Sequence, residues 1–159
     1  MKAKIFPFLI TLTLLSGCAI HAKMIVGGSF VKNNFVPDEV IAEYIPQGKT
    51  PFGARYFLVS YKGGPAFYEY HGEDENTLMT NVLETESGYQ FGIWVPERVG
   101  ARIYVPRDHS KPLVYTLLPG RGYKIISVSG VRFPEQLEGV ETKSYEFNAI
   151  EVKNFPANL

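Results

Sequence analysis

Apolar and polar residues alternate along most of this chain, and Gly, Pro and Asn interrupt the alternation at short intervals. Period two, punctuated in that way, is the pattern of antiparallel strands joined by tight turns. Tyr89 to Val95 places Tyr89, Phe91, Ile93 and Val95 on one face. Ala101 to Val105 puts Ala101, Ile103 and Val105 inward and Arg102 and Tyr104 outward. Ala54 to Lys62 is apolar on both faces, as a central strand is, and Ala66 to His71 follows a Gly63-Gly64-Pro65 turn. Leu78 to Glu84 alternates and ends at Thr85-Glu86-Ser87-Gly88. Leu113 to Leu118 and Tyr123 to Ser129 flank the turn Pro119-Gly120-Arg121-Gly122. Tyr145 to Val152 is the last predicted strand, and Val26 to Val31 is a candidate first one. Pro37 to Ile45 carries an early Pro, acids in its first turn and a stop at Pro46, which fits one short helix, although a strand fits equally.

Eight or nine strands in this length predict an all-β fold with a single antiparallel β-sandwich, the alternative being a small lipocalin-like β-barrel. High aromatic content, 14% and mostly Phe and Tyr, favours strands, and 15 Gly and 11 Pro suit a turn-rich chain. The 159 residues show no repeat or low-complexity tract and suffice for one domain.

The first residues break the pattern. Met1-Lys2-Ala3-Lys4 is basic, and Ile5 to Leu15 is an apolar run. A spanning helix needs ~20 residues, so this run is too short to cross a bilayer and matches the apolar region of a signal peptide. Leu15-Ser16-Gly17-Cys18 follows. This motif resembles the lipobox of bacterial lipoproteins: a branched apolar residue, two small residues and a cysteine. The resemblance implies that the Cys18 thiol accepts a diacylglyceryl group and that the chain is cut before it. Residues 1–17 would be the signal peptide, 18–27 a lipidated tether and 28–159 a single β domain. Ala19 after the cysteine resembles the outer-membrane sorting class, so the expected location is the cell envelope, lipid-anchored, at the outer membrane. Cys18 is the only cysteine, which excludes an internal disulfide and a cysteine-rich zinc site.

Candidate chemistry in the mature part is sparse. Asp108-His109-Ser110 holds three residue types of a hydrolase triad, but neighbours on one loop cannot each point at the next. No Gly-x-Ser-x-Gly, His-Glu-x-x-His or phosphate-cradling glycine loop occurs. The acidic stretch His71-Gly72-Glu73-Asp74-Glu75-Asn76 lacks calcium-loop spacing and reads as a solvated turn. No metal or other cofactor is therefore expected, and no enzyme.

Charge order adds one feature. Residues 63–97 hold seven acids and no Lys or Arg, whereas 98–132 hold seven bases and one acid, Asp108. Cross-strand pairing would neutralise the two blocks. Convergence would instead make an anion-binding face from Arg98, Arg102, Arg107, Lys111 and Arg121. Without Lys2 and Lys4 the chain carries 14 bases against 16 acids, which gives no reason to expect a nucleic-acid partner.

Two local resemblances remain. Leu117-Leu118-Pro119-Gly120-Arg121-Gly122-Tyr123 resembles the Leu-Pro-x-Gly-x-Tyr hairpin of transthyretin-like β-sandwiches, with one extra Gly. Gly92-Ile93-Trp94 is similar to the lipocalin Gly-x-Trp, but lies mid-chain instead of on the first strand. The expected function is that of a membrane-anchored envelope lipoprotein, a non-enzymatic binding or assembly module for a protein or envelope polymer. The alternatives are a carrier of a small hydrophobic ligand and an envelope hydrolase. The expected partners are the membrane, through lipid on Cys18, and an envelope protein or polymer.

Overall fold

A computed structural model describes residues 24–157. The predicted signal peptide, Cys18 and residues 19–23 of the predicted tether lie outside the described residues. Within them the fold is all-β, in twelve strands: β1 Gly28–Val31, β2 Glu39–Pro46, β3 Arg55–Tyr61, β4 Gly64–Tyr70, β5 Asn76–Met79, β6 Val82–Glu84, β7 Gly88–Val95, β8 Val99–Pro106, β9 Leu113–Pro119, β10 Tyr123–Val128, β11 Val131–Gln136 and β12 Lys143–Ile150. Ten of them form one antiparallel sheet in the order β1-β5-β4-β3-β2-β12-β9-β8-β7-β6, and β10 and β11 form a separate hairpin.

The order shows how the sheet curls. β5 pairs with β4, and β6 pairs with β7 at the other end of the sheet. Yet β5 and β6 are consecutive, separated only by Thr80 and Asn81. The sheet therefore bends round until its two ends meet on the 76–84 segment, an incompletely closed barrel.

Alternation decides what goes inside. Tyr56, Leu58, Phe67, Met79, Phe91, Ile103, Val105, Leu113 and Phe147 are buried in one cluster. Their rings interlock, with Tyr56 4.9 Å from Phe147 and Phe67 5.8 Å from Phe91 between centroids. The loop before β3 adds Phe52, whose ring lies 4.9 Å from Tyr115 and 5.3 Å from Tyr145. The opposite face of β3 and β4 is also apolar and carries a second cluster of Phe57, Val59, Ala66, Tyr68 and Leu78. Phe35 and Phe155, from the two ends of the chain, cover it. The β10–β11 hairpin covers β7 and β8 from outside. Phe133 is fully buried there, and glycine is required beneath it, because a Cβ on Gly92 would overlap its ring.

Several expectations change. Residues 39–46 form strand β2 and no helix is present among the described residues, so the short-helix reading of 37–45 is wrong. A β-bulge between Val40 and Ala42 shifts the phase by one residue and places apolar side chains at near-helical spacing. The 78–84 strand is broken in two. The turn before β4 is Lys62-Gly63, both at positive φ (51° and 82°), as a two-residue hairpin of the I′ type requires. The 119–122 turn does not make a hairpin: β9 stays in the barrel while β10 leaves to pair with β11. β11 was not anticipated. The folded part also starts before residue 28, since Val26 pairs with Trp94 and Ile25 packs on the core.

Candidate functional site

The seam of the barrel is built by glycine and proline. Gly27, at φ 95°, turns the chain between β5 and β7. Its carbonyl accepts from both Thr80 N–H (3.1 Å) and Asn81 N–H (3.0 Å), and Val26 exchanges two backbone hydrogen bonds with Trp94. A Cβ at Gly27 would overlap the Gly92 carbonyl, so only glycine fits this approach. The N-terminal segment thus fills the gap on one half of the seam.

The other half stays open. β4 pairs with β5 only through Phe67, Tyr68 and Glu69, which leaves Gly64, Pro65 and Ala66 without a strand on that side among the described residues. Across the gap, β6 bonds β7 at alternate residues: the Asn81 carbonyl accepts from Gly92 N–H, Leu83 faces Gln90, and Thr85 N–H donates to the Gly88 carbonyl. Antiparallel ladders alternate in this way, so the main-chain groups of Val82 and Glu84 point away from β7 and into the gap. Pro65 has no N–H to offer from the facing edge. A groove of about 490 Å³ lies here, lined by apolar Val31, Tyr61, Pro65, Leu78 and Val82, with Lys62 and Glu84 also on its wall. A smaller groove of about 360 Å³, beside Val26, Gly27, Trp94 and Arg132, shares Thr80 and Val82 with it.

Sequence reasoning missed the buried carboxylate inside the barrel. Glu69 is 6% exposed and points to the core face of β4 with Phe67. It accepts a hydrogen bond from the Tyr115 hydroxyl, and its other oxygen lies 3.2 Å from His71 Nε2. Burial pushes the Tyr115 phenol well above its ordinary range, and the Glu69 charge adds to this. Burial acts to lower the His71 pKa, but the hydrogen bond and charge of Glu69 outweigh it, and the net shift is upward. The hydroxyls of Tyr44, Tyr56 and Tyr68 are buried with no protein partner among the described residues. Burial raises the Tyr44 and Tyr68 phenols to about 12.

The five basic candidates do not form one face. Arg98 lies in the β7–β8 turn and Arg121 in the turn after β9, at the same end of the barrel. Those turns touch: a Cβ on Gly120 would overlap the Arg98 carbonyl. Arg107 and Lys111 lie in the β8–β9 loop at the opposite end. Arg107 donates to the Thr85 carbonyl (2.9 Å) and the Tyr89 hydroxyl (3.0 Å). Arg102 points outward from β8, as expected, and is held by Glu135 at 2.8 Å. Arg107 lies 3.9 Å from Glu84. Pairing therefore accounts for Arg102 and, loosely, Arg107, while Arg98, Lys111 and Arg121 make no ion pair among the described residues.

Asp108, His109 and Ser110 close on themselves. Asp108 accepts from the Ser110 N–H (3.0 Å) and hydroxyl (2.7 Å), which lowers its pKa, and His109 sits edge-on to Tyr44 at 6.5 Å. The acidic loop is organised by buried Asn76, whose Oδ1 accepts from the His71 and Gly72 N–H groups. No group of three or more metal-ligating residues occurs among the described residues. What the geometry defines is an antiparallel barrel with a filled interior and an open strand edge. Comparison with protein-family models, curated proteins and solved structures gave no match to this chain.

Proposed function

We propose that this chain is a lipid-anchored envelope protein, held by acyl chains on Cys18, whose barrel is a non-enzymatic module that binds an extended segment of a protein partner. The anchor rests on Leu15-Ser16-Gly17-Cys18. The binding mode rests on one observation above the others: the β6 edge directs the main-chain groups of Val82 and Glu84 into a groove of mixed polar and apolar lining, where no strand among the described residues pairs with them. Unpaired strand edges accept polypeptide segments by β-addition, in which main-chain hydrogen bonds supply affinity and side-chain pockets supply specificity. That chemistry favours a polypeptide over a polysaccharide. A carrier would need space inside the barrel, where Tyr56, Phe67, Phe91, Tyr115 and Phe147 already pack.

The two halves are tested separately. Labelled palmitate fed to cells should enter the wild-type chain and not Cys18→Ser; label in the variant would refute the anchor. A photo-crosslinking residue at Glu84 should trap a discrete envelope polypeptide, whereas the same residue at Glu146, exposed on β12, should not. Equal capture at both positions, or none at Glu84, would refute the seam.

A further inference from the structure

The direction in which the N-terminal segment leaves the barrel fixes which end of the domain lies nearest the anchor. Val26 pairs antiparallel with Trp94, so Met24 continues beyond the end of β7 toward the Pro96-Glu97-Arg98 turn. Only residues 19–23 separate Met24 from Cys18. Six residue steps span at most ~21 Å when fully extended. The barrel end bearing the 96–98 and 119–122 turns is therefore confined to the neighbourhood of the anchored acyl chains.

The surface of that end suits the confinement. Met24 is 67% exposed and Val99 36%, large values for apolar side chains, and Pro96 and Pro119 are exposed beside them. Arg98 and Arg121 are exposed on turns in mutual contact and make no ion pair among the described residues. Guanidinium groups bind phosphate oxygens in a fixed fork, and basic residues close to a bilayer are drawn to its anionic headgroups. The opposite end also carries exposed apolar side chains, Val36 at 56% among them, but its Arg107 is occupied by Thr85 and Tyr89, so the two guanidinium groups of Arg98 and Arg121 are what set the tether end apart.

We infer that this end of the barrel rests on the phospholipid surface, with Arg98 and Arg121 on lipid phosphates and Met24, Val99 and the two prolines against the headgroup layer, so that the open half of the seam faces away from the membrane. The inference rests on the lipid anchor at Cys18 proposed above. Glu97, Glu138 and Glu141 also lie in the loops of this end, so electrostatics alone would not hold an unanchored domain there. The tether supplies the proximity and the arginines select the orientation.

The test uses the full lipidated protein, purified from membranes and reconstituted into vesicles of phosphatidylethanolamine and phosphatidylglycerol. Pro119→Cys at the tether end and Lys111→Cys at the far end each receive an environment-sensitive fluorophore, the Cys18 thiol being consumed by lipid. Emission at position 119 should rise several-fold and shift to the blue on reconstitution, while position 111 should not change. Adding Arg98→Glu and Arg121→Glu should abolish the rise at 119 while the protein still floats with the vesicles. Flotation without a rise at 119, or an equal rise at 111, overturns the orientation and leaves the anchor intact. A wild-type chain that neither floats nor takes palmitate overturns the anchor, and this inference with it.

Discussion

Removing the Tyr115 hydroxyl should destabilise the barrel more than removing any hydroxyl on its surface. Tyr115→Phe deletes one oxygen and leaves the ring packed on Phe52 and Phe147. No cavity of consequence opens, so the cost is the lost hydrogen bond to the Glu69 carboxylate. A hydrogen bond to a charged group contributes roughly 1.5–3 kcal/mol. The upper half of that range applies here, because Glu69 is 6% exposed and retains, among the described residues, only His71 as a side-chain partner. A loss of about 2.5 kcal/mol corresponds to a fall in Tm of roughly 9 °C for a domain of this size. Tyr123→Phe is the control: its hydroxyl donates to the neutral Val95 carbonyl at 3.0 Å, where about 1 kcal/mol is expected. Urea unfolding followed through Trp94, the single tryptophan, measures both. A double-mutant cycle with Glu69→Gln should show coupling of about 1 kcal/mol or more. If Tyr115→Phe costs less than Tyr123→Phe, or its effect adds to that of Glu69→Gln without coupling, the buried carboxylate is not held as described.

Two further outcomes follow from the packing and the charges. Phe133→Ala should free the β10–β11 hairpin from β7 and β8 at a cost of about 3–5 kcal/mol, and should red-shift Trp94, whose ring lies 5.8 Å from the Arg132 guanidinium on that hairpin; unchanged emission would show that the hairpin does not shield it. The His71 pKa is raised in the fold, so the Glu69–His71 contact contributes its full stability below the unfolded value of ~6.5 and loses it as pH rises through the folded value. The effect should be small because the His71 side chain is 41% exposed, but urea midpoints should fall from about pH 6 to about pH 8, and His71→Gln should remove that share of the slope.

Strands whose period stayed intact were legible in the sequence. Phe91 and Ile93 on β7 and Ala101, Ile103 and Val105 on β8 are buried on the face that alternation assigned to them. β2 was ambiguous because its bulge inserts one residue, so that Val40, Ile41 and Tyr44 imitate one face of a helix. β11 was hidden by Pro134, which in a two-stranded hairpin needs no ladder partner on its outer side. The break at Thr80-Asn81 has one local signal, Asn81, which is poorly suited to a strand, whereas Thr80 suits one; the break is made by the Gly27 carbonyl, which draws both N–H groups from more than fifty residues away. Glu69 did leave a trace. It shares the parity of Phe67 on a strand that is apolar on both faces, and a carboxylate in that position must be buried or must disrupt the strand.

The basic block misled for a related reason. In an up-and-down sheet, residues close in sequence but separated by one strand lie at opposite ends of the domain. β8 runs eight residues from Val99 to Pro106, about 23 Å at strand rise, so Arg98 and Arg107 cannot share a face. Convergence in such a fold comes instead from turns two strands apart. The turns carrying Arg98 and Arg121 meet in this way, although 22 residues lie between the two arginines and the intervening chain visits the far end. The same rule divides the two proposed contacts. The segment that continues toward Cys18 and the turns carrying Arg98 and Arg121 lie at one end, whereas Glu84 and the Lys62-Gly63 turn lie at the other. A barrel held at the first end can present its open strand edge at the second, and neither contact obstructs the other.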